Sequence, residues 1–258
     1  MADVHPTAVV DAGAVLAADA VVGPHACVGP DVELGEGVEL GPHVVVTGHT
    51  RIGARTRVFP YACLGGEPQH LEYAGEPTRL EIGRDNVIRE HVSIHVGTVR
   101  GGGCTRIGDA NLLMNGSHVG HDCVVGSHVV VASQSGLAGH VVIEDHAVLG
   151  AYTGVHQHAR IGESAMTAAG SMVSLDVPPF SLVAGDRARM VGLNTVGLER
   201  RGFPAETRGA IRRAHRIVFR SGHTLTDALA RAEAELGGIA EIERFLAFLR
   251  KSERGFCR

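Results

Sequence analysis

The feature that most constrains this chain is an aliphatic residue at every sixth position. The series runs from Val4 to Leu64, resumes from Ile82 to Ile94 and resumes again from Ile107 to Val173, with Thr167 as its one polar member. A period of six matches neither a helix nor an alternating strand. It is the signature of hexapeptide β-helices. The series therefore predicts a mainly β protein, a left-handed parallel β-helix of eight to nine triangular coils with about 18 residues in each.

Glycine often follows the aliphatic residue, as at Gly23, Gly29 and Gly35. We expect these glycines to supply the backbone freedom that each corner needs. Two segments, residues 65–81 and 95–106, break the period. Because insertions in a solenoid lie outside its coils, often on the binding face, both segments are predicted to be external loops near a site.

The period ends at a Pro-Pro pair, and this divides the chain into a β-helix domain, 1–177, and a C-terminal domain, 178–258. The second domain is predicted to be a small helical bundle. Its three helices are expected between Pro204 and Gly222, after Thr224 and after Gly238. Each of them carries an apolar stripe with helical spacing.

Composition and charge narrow the class of protein further. Five cysteines without CxxC spacing argue against a disulfide framework and against a cysteine-based zinc site. The apolar stretches are too short to span a membrane and no signal pattern opens the chain, so a cytoplasmic protein is predicted. Residues 1–177 carry 9 arginines against 19 acidic residues, a net charge of −10, whereas residues 178–258 carry a net charge of +6. A basic C-terminal domain on an acidic body suggests an acidic partner.

The sixteen histidines separate by their position in the repeat. Half of them lie three residues after the aliphatic position, where a polar corner residue recurs. His95, His118, His121 and His156 lie elsewhere. Residues 18 apart stack on adjacent coils, so Asp122, His140 and His158 should form a ladder beside His121. A histidine next to a carboxylate suits a general base, and three-histidine zinc binding is the competing interpretation.

Several segments are specific enough to point to a family. They are VHPTAVV (4–10), YAGEPTRLEIG (73–83), IHVGTVRGGG (94–103), NLLMNGSHVGHDCVVG (111–126), LAGHV (137–141), VHQ (155–157), DVPP (176–179) and RRGFP (200–204). With these segments the chain resembles, over its whole length, the acyl-carrier-protein-dependent UDP-N-acetylglucosamine O-acyltransferases of lipid A synthesis. The resemblance implies a cytoplasmic homotrimer with active sites between subunits. Its substrates would be acyl carrier protein and UDP-N-acetylglucosamine, with no metal, no separate cofactor and no nucleic acid.

The resemblance also implies roles for individual residues. His121 would be the general base that deprotonates the sugar 3-hydroxyl, Asp122 would orient it, and the N–H of Ala151 would bind the oxyanion. Ala169 matches a position that acts as a ruler for acyl length, and its methyl group predicts a somewhat shorter chain than glycine-bearing members use. Substrate contacts are implied for His70, Glu72, His95, His118, His140, His156, Gln157, Arg187, Asn194, Arg200 and Arg201, the last two near phosphates.

Four positions depart from the family pattern. Glu72 replaces a lysine, His70 an aspartate, Val196 a glutamate and Arg187 a frequent histidine. A glutamate near a diphosphate would be repulsive, so the departures mean either a charge swap between positions 70 and 72 or a changed acceptor sugar. A changed acceptor would make the protein a related acyltransferase with a 3-amino acceptor. Two further alternatives are a zinc enzyme resembling γ-type carbonic anhydrase and a purely structural solenoid.

Overall fold

The computed structural model describes all residues, 1–258, and confirms the predicted left-handed parallel β-helix. Sheet A contains β1 Asp3–Val4, β4 Val21–Val22, β7 Glu39–Leu40, β10 Arg57–Val58, β13 Val87–Ile88, β16 Leu112–Leu113, β19 Val130–Val131, β22 Val148–Leu149, β25 Met166–Thr167, β27 Ser181–Ala184 and β28 Arg189–Leu193. Sheet B contains β2 Val9–Val10, β5 Cys27–Val28, β8 Val45–Val46, β11 Cys63–Gly66, β14 Ser93–His95, β17 His118–Val119, β20 Gly136–Leu137, β23 Gly154–Val155 and β26 Met172–Val173. Sheet C contains β3 Val15–Leu16, β6 Val32–Leu34, β9 His49–Ile52, β12 Arg79–Ile82, β15 Cys104–Ile107, β18 Val124–Val125, β21 Val142–Ile143 and β24 Arg160–Ile161.

The aliphatic positions of the repeat point inward and form the core. From Val22 onward nearly all of them are at most 4% exposed, whereas Val10 and Leu16 at the open N-terminal end are only partly buried. Residues 18 apart pair in parallel, as Asp3 does with Val21. Such pairing stacks each hydrophobic side chain on the next and satisfies the backbone between coils.

The glycines after the aliphatic positions have a different role from the one expected. Gly23 has no positive φ; instead, a Cβ there would lie 2.8 Å from the carbonyl oxygen of Leu40 on the next coil. Close approach of neighbouring coils therefore requires these glycines. The left-handed corner conformation falls two residues later, on residues such as His43 at φ 58° and Asp122 at φ 60°. Stacked side chains stabilise one row of corners, where the rings of His43 and Tyr61 are 5.0 Å apart.

The two interruptions lie outside the coils, but the strands extend further into them than the period suggests. Between β11 and β12 the chain leaves the helix over residues 67–78, and between β14 and β15 over residues 96–103. His95 still belongs to β14, and Cys104 already begins β15. The second excursion includes a short 3-10 turn at Val99–Gly101.

Four helices follow the β-helix: α1 Thr195–Arg200, α2 Ala205–Arg220, α3 Leu225–Leu236 and α4 Ala240–Arg250. The sequence predicts the last three, whereas α1 is too short to show a periodic stripe. The four helices form a second hydrophobic core, which includes Ile211 of α2, Phe245 of α4 and Phe180 from the last coil. The chain end then returns to the last coil, where Cys257 N–H donates to Asp176 O at 2.8 Å. None of the helices combines the length and apolar composition that a membrane crossing requires.

Candidate active site

A groove of about 660 Å³ runs along the outer face of sheet B. Successive strands β17, β20, β23 and β26 contribute His118, Gly136, Gly154 and Met172, because the residue before each buried aliphatic position points outward. A methyl group at Gly136 would meet no atom within 4 Å, so the floor there is open. The predicted site residues in its lining are His95, His118, His121, His156, Gln157 and Arg187.

His121 and Asp122 form a hydrogen-bonded pair at the corner between sheets B and C. His121 Nδ1 lies 2.7 Å from Asp122 Oδ2. Because an ionised carboxylate only accepts, Nδ1 carries the proton and Nε2 keeps a free lone pair. The ring packs against the Gly139 backbone, where a Cβ would lie 2.6 Å from Nε2. This tautomer is the one that a general base requires.

The Asp122 side chain is completely buried, with 0% of its surface exposed. Oδ1 accepts the backbone N–H of Thr98 at 2.8 Å, and Oδ2 accepts the Thr98 hydroxyl at 2.7 Å. The backbone N–H of Asp122 donates to Thr105 Oγ1 at 2.8 Å. Both threonines belong to the interruption at 95–106, where the hexapeptide period gives no register, and sequence reasoning misses them.

Burial favours the neutral form of three histidines around the pair. Burial lowers the pKa of His95 to about 4, with a further contribution from His118. Burial also lowers the pKa of His118 and, against the attraction of Asp122, that of His140. His118 Nδ1 is 2.8 Å from Ser93 Oγ. His140 lies behind the pair, with Nε2 3.8 Å from Asp122 Oδ2. Neutral imidazoles donate and accept hydrogen bonds without repelling a protonated His121.

The C-terminal tail reaches the far end of the groove. Arg254 donates to the carbonyl of Gln157 at 2.9 Å and contacts His156 Nδ1 at 3.2 Å. His156 Nδ1 also lies 3.1 Å from the Gln157 carbonyl oxygen, so Arg254 and His156 converge on the same backbone carbonyl. Arg254 is a third residue that the sequence does not reveal, since a contact between residues 98 positions apart has no local signal.

Three more of the predicted residues lie in a second cavity of about 490 Å³ on the outer face of sheet A. Asn194, Arg200 and Arg201 line it together with Val196, and it shares no lining residue with the groove. Asn194 also caps α1, since its side chain accepts the Gly197 N–H at 3.1 Å. Within one protomer, these residues therefore lie apart from His121.

Two further predicted residues lie away from His121. Ala151 and Ala169 occupy the corner between sheets A and B, across sheet B from the catalytic pair, and neither lines the groove. Gly139 also packs against the His121 ring. Its backbone N–H donates to no protein atom.

A metal ion would find three candidate ligands here. His121, Asp122 and His140 each offer an atom, all within 4.8 Å of one another. An ion between the first two would have to replace their 2.7 Å hydrogen bond, and Thr98 already donates to both carboxylate oxygens.

Comparison with known proteins identifies the family. A family model described as Udp N-acetylglucosamine O-acyltransferase, domain 2, matches residues 176–257, and the bacterial transferase hexapeptide model matches residues 13–48 and 104–139. A Myxococcus xanthus acyl-(acyl-carrier-protein)–UDP-N-acetylglucosamine O-acyltransferase is 50% identical over the full length of both chains. A Thiobacillus denitrificans protein of the same name is 48% identical, again over both full chains. This chain belongs to the UDP-N-acetylglucosamine O-acyltransferase family.

Solved structures agree with that membership. The structure of LpxA from Acinetobacter baumannii has a TM-score of 0.96 and 41% sequence identity to this chain, and the match covers 99% of each chain. A UDP-N-acetylglucosamine acyltransferase from Bacteroides fragilis has a TM-score of 0.96 and 36% identity, covering 98% of this chain and 99% of its own.

Two of the positions that depart from the family pattern lie on the excursion at 67–78, beside the groove. The rings of His70 and His121 meet edge to face with centroids 5.3 Å apart. Glu72 forms an ion pair with Arg100 at 2.5 Å, not with His70. These residues border a separate cleft of about 410 Å³. A charge pair at this cleft therefore bridges the two excursions of this O-acyltransferase.

Proposed function

We propose that this protein transfers a fatty acyl group, such as a 3-hydroxyacyl group, from acyl carrier protein to the 3-hydroxyl of UDP-N-acetylglucosamine, the first step of lipid A synthesis. The observation that carries the proposal is the orientation of His121: Nδ1 is bonded to buried Asp122 and Nε2 is free at an open groove. Full-length relatives of the same family bear the name of this reaction.

The reaction follows from that geometry. Nε2 of His121 takes the proton of the sugar hydroxyl while the hydroxyl oxygen attacks the thioester carbonyl carbon. The resulting oxyanion needs hydrogen-bond donors, and the free Gly139 N–H beside Nε2 is well placed to supply one. When the tetrahedral intermediate collapses, the carbon–sulfur bond breaks and the thiolate accepts the proton from His121. The products are the sugar ester and the free thiol of the carrier, and His121 is again neutral.

A homotrimer is part of the proposal, because one protomer separates the residues that the reaction needs. The groove with His121 lies on sheet B, whereas Asn194, Arg200 and Arg201 line a cavity on sheet A. Assembly around a threefold axis would bring the groove of one subunit to the cavity of the next. Arginines there suit the diphosphate of the nucleotide sugar.

The donor side of the proposal rests on charge. Arg212, Arg213, Arg216 and Arg220 of α2 are exposed, and none forms an ion pair within 4 Å. An acidic carrier protein fits this surface. The carrier's phosphopantetheine brings the acyl group, so no separate cofactor is needed, and the reaction would take place in the cytoplasm.

An acyl-transfer assay tests the function. The protein is offered carrier-bound 3-hydroxyacyl donors with UDP-N-acetylglucosamine and with its 3-amino analogue. We expect ester formation with the first acceptor and a loss of about 10²–10⁴-fold in His121→Ala, the usual contribution of a general base. Exclusive use of the 3-amino acceptor would establish the alternative sugar, and near-normal turnover by His121→Ala would reject the catalytic role.

A further inference from the structure

The excursion at 96–103 encloses the Asp122 carboxylate on the side away from the groove. Thr98 contacts both carboxylate oxygens. A methyl group at Gly97 would lie 2.8 Å from Oδ1, and one at Gly101 would overlap the carboxyl carbon. Thr98 is itself 6% exposed. This cradle, Gly97–Gly101, therefore excludes water from the acid and replaces it with two hydrogen-bond donors.

We propose that Thr98 is a positioning residue for the acyl transfer. Its hydroxyl and backbone N–H fix the plane of the Asp122 carboxylate, and Asp122 in turn holds His121 with Nε2 free. This inference rests on the proposed function, in which His121 is the general base.

The accounting of hydrogen bonds supports this role. A buried carboxylate is costly unless its oxygens are satisfied. Of the three short hydrogen bonds that Asp122 accepts, Thr98 supplies two and His121 supplies one. Thr105 bonds only the backbone N–H of Asp122, and His140 stays 3.8 Å away. No other side chain can replace the Thr98 hydroxyl.

The geometry also predicts how losing the hydroxyl would affect His121. Oδ2 accepts both the Thr98 hydroxyl and His121 Nδ1–H, each at 2.7 Å. Without the hydroxyl, Oδ2 loses one of its two short hydrogen bonds and the carboxylate plane is no longer fixed from both sides. The His121 ring is then held less firmly with Nδ1 towards Asp122, and Nε2 should face the groove for a smaller fraction of the time.

The test uses three variants of the full-length protein. Thr98→Val removes the hydroxyl and keeps the shape and the backbone N–H. Thr98→Ser restores the hydroxyl. Thr56→Val is the matched control, since Thr56 is 0% exposed and its hydroxyl donates to a backbone carbonyl at 3.0 Å, far from the groove. The measurements are kcat and KM, together with NMR of the His121 ring nitrogens, which reports the tautomer.

We expect Thr98→Val to lose about 10- to 100-fold in kcat, as for one hydrogen bond to a charged group, with little change in KM. The ring nitrogens of His121 should show a mixture of tautomers where the wild type shows the Nδ1–H form. Thr98→Ser should be close to wild type, and Thr56→Val should keep the wild-type kcat and tautomer. A Thr98→Val enzyme with unchanged kcat, or with the wild-type His121 tautomer, would overturn the inference. If the wild-type protein itself makes no ester, the proposed function fails instead, and the NMR measurement still tests the contact.

Discussion

Gly139 offers the sharpest test of how the groove holds its base. In Gly139→Ala the new methyl carbon would lie 2.5 Å from Cε1 and 2.6 Å from Nε2 of His121. Uncrowded contacts need about 3.5 Å, so the ring must move by about 1 Å. The obstacle is a side chain and no backbone atom is among the nearest contacts, so we expect the β-helix to remain folded while the imidazole leaves its place.

The size of the effect follows from that displacement. A catalytic group misplaced by about 1 Å costs on the order of 10²-fold in rate, and the shift also strains the 2.7 Å bond to Asp122. We therefore expect kcat to fall about 100-fold. Thermal unfolding should change little, since most point substitutions of this kind cost about 1 kcal/mol.

The matched control is Gly136→Ala. It adds the same methyl group to the same groove, but at a position with no atom within 4 Å. Steady-state assays of both variants should leave Gly136→Ala at least tenfold more active than Gly139→Ala. Equal losses in the two variants would show that crowding of the groove, and not displacement of His121, determines the rate.

Three other predictions concern the carrier, the acid stability and the acyl length. Reversing the charge at both Arg212 and Arg216 should raise KM for the carrier-bound donor at low salt, with a smaller effect at high salt. An unchanged KM would show that the carrier does not dock on this helix. Burial lowers the pKa of His215 to about 4, so the folded state favours the neutral ring and is destabilised as the pH falls from about 6.5 towards 4. Relative to His215→Leu, the free energy of unfolding should decrease by about 2 kcal/mol between pH 7.5 and 5. If the free energies of unfolding of the two proteins change in parallel with pH, the prediction is wrong. In a series of donors of increasing length, Ala169→Gly should prefer longer acyl chains than the wild type. If the preferred chain length does not change, another residue, such as Met172 on the groove floor, determines it.

The periodic part of the sequence predicts its own structure because one repeat determines both burial and register. The stacking of Asp122 beside His140 follows from their separation of 18 residues, and the structure places Asp122 Oδ2 3.8 Å from His140 Nε2. The hydrogen bond between His121 and Asp122 likewise follows from adjacency. Where the period runs, the repeat alone assigns each outward residue of the site to a face of the β-helix.

The parts that the sequence does not reveal all lie where the repeat stops. Thr98 reaches Asp122 from an excursion whose path depends on glycines without a side chain to show a pattern. Arg254 reaches His156 only because the chain end returns to the last coil. The helix α1 is six residues long and follows its cap residue Asn194, whose capping bond is a contact with Gly197 and not a periodic signal. Such contacts depend on tertiary packing, and local patterns do not contain them.

The ion pair between Glu72 and Arg100 bears on the departures from the family pattern. The Glu72 carboxylate pairs with Arg100, while His70 Nδ1 lies 3.3 Å from the backbone N of Glu72. Arg100 thus offsets the negative charge of Glu72. Both side chains are more than half exposed, so the pair contributes at most about 1 kcal/mol. An interaction this weak leaves both side chains free to exchange partners, so a glutamate at position 72 does not by itself argue against a diphosphate-bearing acceptor.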